Sequence, residues 1–335
     1  MKLLGSPNIA SKIWVYGQYD HEVGIRTVTK PGYDASVLRL DNGKFLSIKI
    51  DGNPKQCYIN PREGAIGCFE EACRNVVCTG AKPIGMLDHL QFGNPNDPEI
   101  FWTFLESLKG LTDFAKDFEI PCVGGKVSLY NETSDGPIKP TPVIGVIGLI
   151  DKKPLKIQKI NSGDSLIMVG DTKDELGGSE YSEYIHKFIG GKCPAVDFSE
   201  SKKNMNSVLD IIENELIKSA HDCSKGGLTI AISELCMINQ IGCNVSLEKI
   251  PGEKLDSDKI LFSESHSRYL VTFENKNLEK LEEVLKKHNV SYSLIGEFTG
   301  DSILFSSDSK PIIDLSVDKA QKTWFNSLKE MVLHA

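Results

Sequence analysis

Hydrophobic and polar positions change period several times along the chain. From Asp34 the period is two: ASVLRL and then KFLSIKI read as strands joined by the turn DNG at 41–43. PREGAIGCFEEACRNVVCTG follows, with apolar residues at 66, 69, 73, 76 and 77. That spacing predicts a helix closing at Gly80. PIGMLDHLQF predicts a strand running into a loop. Residues 98–118 predict the clearest amphipathic helix, with Pro98 in its first turn. Its buried stripe is expected to be Phe101, Phe104, Leu105, Leu108, Leu111 and Phe114. IPCVGG and TPVIGVIGLID are apolar strands separated by the polar loop SLYNETSDGPIKP. These segments predict one closed α/β unit.

KKPLKIQKINSGD at 152–164 is polar and fits a passage between domains. A second, α+β unit then opens with the strand SLIMVG. Helices are expected near 178–189, 204–219, 226–239 and 278–288, and strands near 243–247, 269–273, 292–298 and 302–305. The resulting division is an arm or linker at 1–30, a sheet domain at 31–152, an α+β domain at 153–310 and a tail at 311–335. The arm carries Trp14, Tyr16 and Tyr19 in a loose pattern.

Composition narrows the function. The chain has 335 residues, 40% of them apolar and 25% charged, as in an average globular protein. A net charge of −8 argues against a nucleic-acid or anionic-membrane surface. No apolar run reaches the roughly 20 residues of a membrane span. The opening MKLLGSPNIASKIW lacks the apolar core of a signal peptide. The 9 cysteines are odd in number and show no C-x-x-C pair. They read as reduced thiols of a cytoplasmic protein, not as disulfides or metal ligands.

Familiar nucleotide and hydrolase signatures are absent: no phosphate loop of the GxxxxGK[ST] type, no GxGxxG after a strand, no HExxH and no GxSxG. Polar residues instead close apolar strands at Asp51, at Asp88 and in the run VGGKVS at 123–128. Strand ends are where open α/β sheets place ligands, and paired glycines let backbone N–H groups approach phosphate. The same residues also suit tight turns. In the second unit, DELGGSEY puts Ser179 near a helix start, as an anion site or as a cap. HDCSKGG offers His221 with Asp222, as an acid/base pair or as a structural histidine.

Taken in order, several stretches resemble one family. SPNIASKIWVYGQYDHEVG with KPGYDASVLRL, the run INPREGAIGCFEEACRNVVCTGAKPIGMLDHLQFGNP, PCVGGKVSLYNET, DELGGSEY, HDCSKGGL and LFSES-x-x-R-Y-L-V are similar to the second half of the synthetase subunit of phosphoribosylformylglycinamidine synthase. The resemblance runs from about residue 7 to residue 305. It implies the aminoimidazole ribonucleotide synthetase-like architecture, with an N-terminal sheet domain and a C-terminal α+β domain. It also implies an ATP- and Mg²⁺-dependent ligase of purine biosynthesis, which turns formylglycinamide ribonucleotide and ammonia into the amidine. The partners implied are the first half of the subunit, a glutaminase subunit that releases ammonia, and a small accessory subunit. An isolated second half is expected to pair as a homodimer through residues 34–150.

By the same resemblance, Asp88 and Gly125 match ATP-contacting positions and Ser128 a substrate-contacting one. Lys126 stands at a Mg²⁺ position that is commonly Asn in the family, and an ammonium cannot ligate a cation. Asp51 and Asn75 resemble metal-binding positions of the first half, through the family's internal duplication, and mark a degenerate second nucleotide site. The catalytic histidine belongs to the first half. Two other readings are a self-contained relative of the aminoimidazole ribonucleotide or selenophosphate synthetase type, and a non-catalytic scaffold that binds nucleotide.

Overall fold

A computed structural model describes residues 1–155 and 159–334. Residues 156–158 of the predicted passage at 152–164 lie outside the described residues. After a short helix, α1 (Ile13–Tyr16), the first unit runs β1 (Thr27–Thr29), β2 (Ser36–Arg39), β3 (Phe45–Asp51), α2 (Pro54–Ile59) and α3 (Pro61–Val77). It continues with β4 (Lys82–Gln91), α4 (Pro98–Phe118), β5 (Cys122–Ser128), the small hairpin β6 (Glu132–Thr133) and β7 (Gly136–Pro137), and β8 (Thr141–Ile150). The sheet order is β1-β2-β3-β8-β4-β5, with β4 and β5 parallel at one edge.

Among the described residues, helices cover one face of this sheet only. Along β8, Pro142, Ile144, Val146, Gly148 and Ile150 are buried, while the alternate residues are half-exposed. The period of two thus separates a core side from an open side. Ile50, Ile84, Leu87 and Val123 are among the exposed large apolar residues of the strands. On the covered side, α3 starts where Asn60 accepts a hydrogen bond from the Glu63 N–H and Pro61 takes the first helical position. Fifteen of its 17 residues are buried, because the second unit covers the side of α3 that the sheet does not.

The stripe expected on α4 is only partly buried. Leu111 and Phe114 are buried, whereas Phe101 and Leu105 are 44% and 38% exposed. The cause is the close crossing with α3. Ser107 Oγ bonds Pro61 O at 3.3 Å, and a Cβ at Gly110 would strike the Arg62 carbonyl. Contact therefore follows Ser107, Gly110 and Phe114 instead of the most apolar line.

The second unit holds β9 (Ser165–Val169), α5 (Phe198–Glu213), β10 (Ser219–Asp222), α6 (Gly227–Asn239), β11 (Cys243–Ser246) and α7 (Ser257–Phe262). It then runs through β12 (Tyr269–Phe273), α8 (Leu278–Lys287), β13 (Tyr292–Phe298), β14 (Ser302–Ser307), β15 (Lys310–Ser316) and α9 (Val317–Leu333). Seven strands form its sheet, in the order β10-β12-β9-β13-β11-β14-β15.

Three sequence expectations change here. The helix expected at 204–219 is α5, which begins six residues earlier because Asp197 caps it by accepting from the Glu200 N–H. The segment expected as a helix at 178–189 forms only a π-helical turn over Tyr181–Ile185. The tail at 311–335 is mostly regular structure, β15 and then α9. Trp324 is buried, and its indole N–H donates to Ile9 O at 2.9 Å. Leu3, Leu4 and Ile9 join the same core, so the start of the expected arm packs on the end of the chain.

A buried polar network joins the two units. Arg74 on α3 pairs with Glu70 on its own helix and with Asp222 of β10 at 3.3 Å. Glu70 also accepts from Ser201 Oγ at 3.1 Å and Ser267 Oγ at 3.2 Å, both in the second unit. Removing a partner from such a network is costly, because it strands a buried charge.

Candidate functional site

Four residues on adjacent strands make one row across the first sheet. Asp51 on β3 and Asp88 on β4 both pair with Ile144 of β8, and Asp88 pairs with Gly125 of β5. Neighbouring strands lie about 4.8 Å apart, so the backbones of Asp51 and Asp88 are roughly 10 Å apart. Ile144 is fully buried, which puts the row on the helix-covered face. A Cβ at 125 would meet the Asp88 carboxylate, so any other residue there must push that side chain aside. Cys122 Sγ donates to Asp88 Oδ2 at 3.6 Å.

Lys126 and Ser128 pair with His89 and Gln91. They alternate with Gly125 and so project from the opposite, open face. The residues assigned by resemblance therefore divide, with Asp88 and Gly125 on the covered side and Lys126 and Ser128 on the open one. Ser128 Oγ lies 3.4 Å from Asn131 Oδ1. Lys126 is exposed and makes no ion pair among the described residues. Beside it, His89 Nε2 is buried without a hydrogen-bond partner. Gly124 and Gly125 lie within the strand β5 and not in a tight turn. Asp88 lies on the other face of the strand pair from Lys126, and an ammonium supplies no lone pair, so Mg²⁺ ligation through position 126 does not fit.

A second convergence lies between the units, around a cavity of about 250 Å³. Lys49 and Asp51 reach it from alternate positions of β3, and Glu71 and Asn75 from one face of α3, four residues apart. Asp34 joins from the loop before β2, His221 and Asp222 from β10, and Lys225 from the turn before α6. The structure thus brings the two second-site residues, Asp51 and Asn75, together: Asn75 Nδ2 lies 3.4 Å from Asp51 Oδ2 and 3.2 Å from Asp222 Oδ2. Lys49 Nζ donates to Asn75 Oδ1 at 3.1 Å and lies 3.8 Å from Asp51 Oδ1. Lys225 Nζ is 3.1 Å from Glu71 Oε1.

Burial and charge set the protonation of this cluster. Burial pushes the Asp51 carboxyl up to about 7, against the pull of Lys49. Burial works against both ammonium groups, but Asp51 beside Lys49 and Glu71 beside Lys225 outweigh it and hold them above the usual lysine value. His221 lies 2.8 Å from Asp34 and 3.2 Å from Glu234, one carboxylate on each ring nitrogen. Burial disfavours the imidazolium, yet these two carboxylates raise it well above the ordinary histidine value. His221 is therefore a cation with both nitrogens donating. Its partner is Asp34 and not the adjacent Asp222, whose own N–H donates to Asp34 Oδ1 at 2.9 Å.

Ser179 proves to be a cap, since its Oγ accepts from the Ser182 N–H at 3.1 Å. The sequence reading did not single out Asp34, Lys49, Glu71 or Lys225 as site residues. Only the Glu71–Asn75 spacing gave a local signal, because residues four apart share a helix face.

Comparison with known proteins places this geometry in a family. The AIR synthase related protein N-terminal domain matches residues 32–150, and the C-terminal domain of the same description matches residues 161–307. The chain belongs to the AIR synthase related family. Curated members similar to it are named phosphoribosylformylglycinamidine synthase subunit PurL. The one from Methanocaldococcus jannaschii is 43% identical over 99% of this chain and 46% of its own length. The one from Alkaliphilus metalliredigens is 40% identical over 98% of this chain and 44% of its own. The chain spans about half the length of the curated relatives it matches. Among solved structures, T. maritima PurL complexed with FGAR superposes with a TM-score of 0.78 at 18% identity, over 96% of this chain and 52% of that one. At that identity the likeness shows the fold: two AIR synthase related domains of mixed α and β structure.

Proposed function

We propose that this chain is the C-terminal half of a PurL-type synthetase and works only when joined to a first half. In the assembled enzyme, ATP phosphorylates the amide oxygen of formylglycinamide ribonucleotide, and ammonia displaces phosphate to give the amidine. The observation that carries this reading is the open sheet face, where Lys126 and Ser128 stand beside uncovered apolar residues. A first half packed there would turn an exposed strand edge into the wall of a site between halves. At the β5 edge the two faces meet, so that Asp88 and Gly125 would contact ATP from the covered side and Ser128 the substrate from the open side. The chemistry ATP supplies is an activated phosphoryl group, and this chain's share is to bind and orient it.

The Mg²⁺ that accompanies ATP is assigned to carboxylates of the first half, because position 126 here is a lysine. Further partners are a glutaminase subunit as ammonia source and a small accessory subunit, in the cytoplasm. The boundary between 152 and 153 is kept as the functional one, and β15 and α9 are counted with the second unit, whose sheet and core they join. Among the described residues, no helix is long and apolar enough to cross a membrane.

Lys126 provides the test. Unpaired among the described residues and on the same strand face as Ser128, it is placed to meet a phosphate oxygen, and a charge-assisted hydrogen bond contributes about 1.5–3 kcal/mol. ATP titration calorimetry with the first half present should show roughly tenfold or weaker binding in Lys126→Ala. Lys126→Asn should regain affinity only as Mg²⁺ rises. Equal binding by all three proteins at every Mg²⁺ level would remove Lys126 from the site.

A further inference from the structure

The cluster between the two units contains five carboxylates, Asp34, Asp51, Glu71, Asp222 and Glu234, and a divalent cation is the obvious occupant. The groups present do not fit one. Mg²⁺ takes oxygen ligands at about 2.1 Å in near-octahedral geometry, and the candidate oxygens are already engaged by cations of the chain itself. Glu71 holds Lys225, and Asp222 holds Arg74. Asp51 faces Lys49, whose ammonium also takes the Asn75 carbonyl oxygen. Asp34 and Glu234 share the protonated His221, which has no free lone pair for a metal although one of its nitrogens lies within 4.8 Å of carboxylate oxygens of Asp34 and Asp222.

We infer that Lys49 and Lys225 are built-in replacements for divalent cations, so that this second site is neutralised from within and takes no Mg²⁺. Asp51, Glu71 and Asp222 each face a cation of the chain, namely Lys49, Lys225 and Arg74, the last shared with Glu70. The backbone aims one of these cations deliberately. Lys225 precedes two glycines with positive φ, 79° at Gly226 and 67° at Gly227. At Gly227 a side chain would also press on the carbonyls of Leu261 and Ser263. That turn directs the ammonium back toward α3. Lys49 lies on the same strand face as Asp51, two residues earlier. The inference concerns charge compensation inside this chain and stands independently of the ligase reading.

The test counts bound Mn²⁺ by electron paramagnetic resonance, with circular dichroism reporting the fold. The intact protein and Glu71→Gln should bind the same number of ions. Lys225→Ala should bind one more, and adding Glu71→Gln should abolish that gain. Mg²⁺ should raise the melting temperature of Lys225→Ala and leave that of the parent protein unchanged. Lys49→Ala is measured in the same way and decides the matter if Lys225→Ala does not fold. An ion bound by the parent protein and lost in Glu71→Gln would overturn the inference. So would folded lysine variants that gain no ion.

Discussion

Asp51 and Asp88 stand opposite the same residue, Ile144, from strands on either side of it. One row of the sheet therefore reaches both the cluster between the units and the strand edge assigned to nucleotide. At the far end of the row, Gly125 leaves room for the Asp88 carboxylate.

Gly125→Ala forces that carboxylate aside. Overpacking of this kind costs about 1–3 kcal/mol. The expected result is a lower urea midpoint with an unchanged slope, together with weaker ATP binding in the complex. An unchanged midpoint and affinity would mean that Asp88 moves freely and that the row has no fixed geometry.

Local chemistry explains which parts of the structure could be read in advance. The helix expected at 98–118 is found at Pro98–Phe118, because its start is written in two neighbours, Asp97 as cap and Pro98 in the first turn. By contrast, α9 buries only Val317, Ala320 and Trp324 of its 17 residues, too sparse a stripe to announce a helix. What holds it lies far away in the chain: α6, where Met237 O accepts from the Gln321 side chain, and Ile9 at the other end. The site shows the same contrast. Strand ends drew attention to Asp51 and Asp88, but Asp34 and His221 are 187 residues apart, and only the fold introduces them. The opposite facing of Gly125 and Lys126 follows from an extended strand, whereas a glycine-rich run invited a turn.

Glu264 gives a pH signature. Its carboxylate accepts from the N–H groups of Gly226 at 2.7 Å and Glu180 at 2.8 Å, yet burial dominates and pushes it up to about 7 from 4.5. Between those values the native state keeps a proton that the unfolded chain has released, so stability falls as pH rises through this window. The shift corresponds to about 3 kcal/mol. Glu264→Gln cannot ionise, so its stability relative to the parent should climb by about that amount from pH 4 to pH 8. Denaturant titrations at several pH values measure it, and a difference that stays flat with pH would contradict the burial argument.

The open face of the first sheet should not stay wet when the chain is alone. Ile50, Ile84, Leu87 and Val123 are 65%, 42%, 42% and 57% exposed, and contiguous apolar patches of this kind mark contact surfaces. We expect the isolated chain to sediment as an isologous homodimer. Leu87→Asp together with Val123→Asp should convert it to a folded monomer. A parent protein that is monomeric at micromolar concentration would show that this face needs no partner.

The half-enzyme reading is tested most directly by turnover. The chain is assayed with ATP, Mg²⁺, ammonia and formylglycinamide ribonucleotide, first alone and then with a first-half polypeptide added. The prediction is no amidine from the chain alone and product formation once the first half is present, because the groups that position substrate come from that half. Product formed by the chain alone would contradict it, and so would a mixture of folded halves that bind each other yet form none.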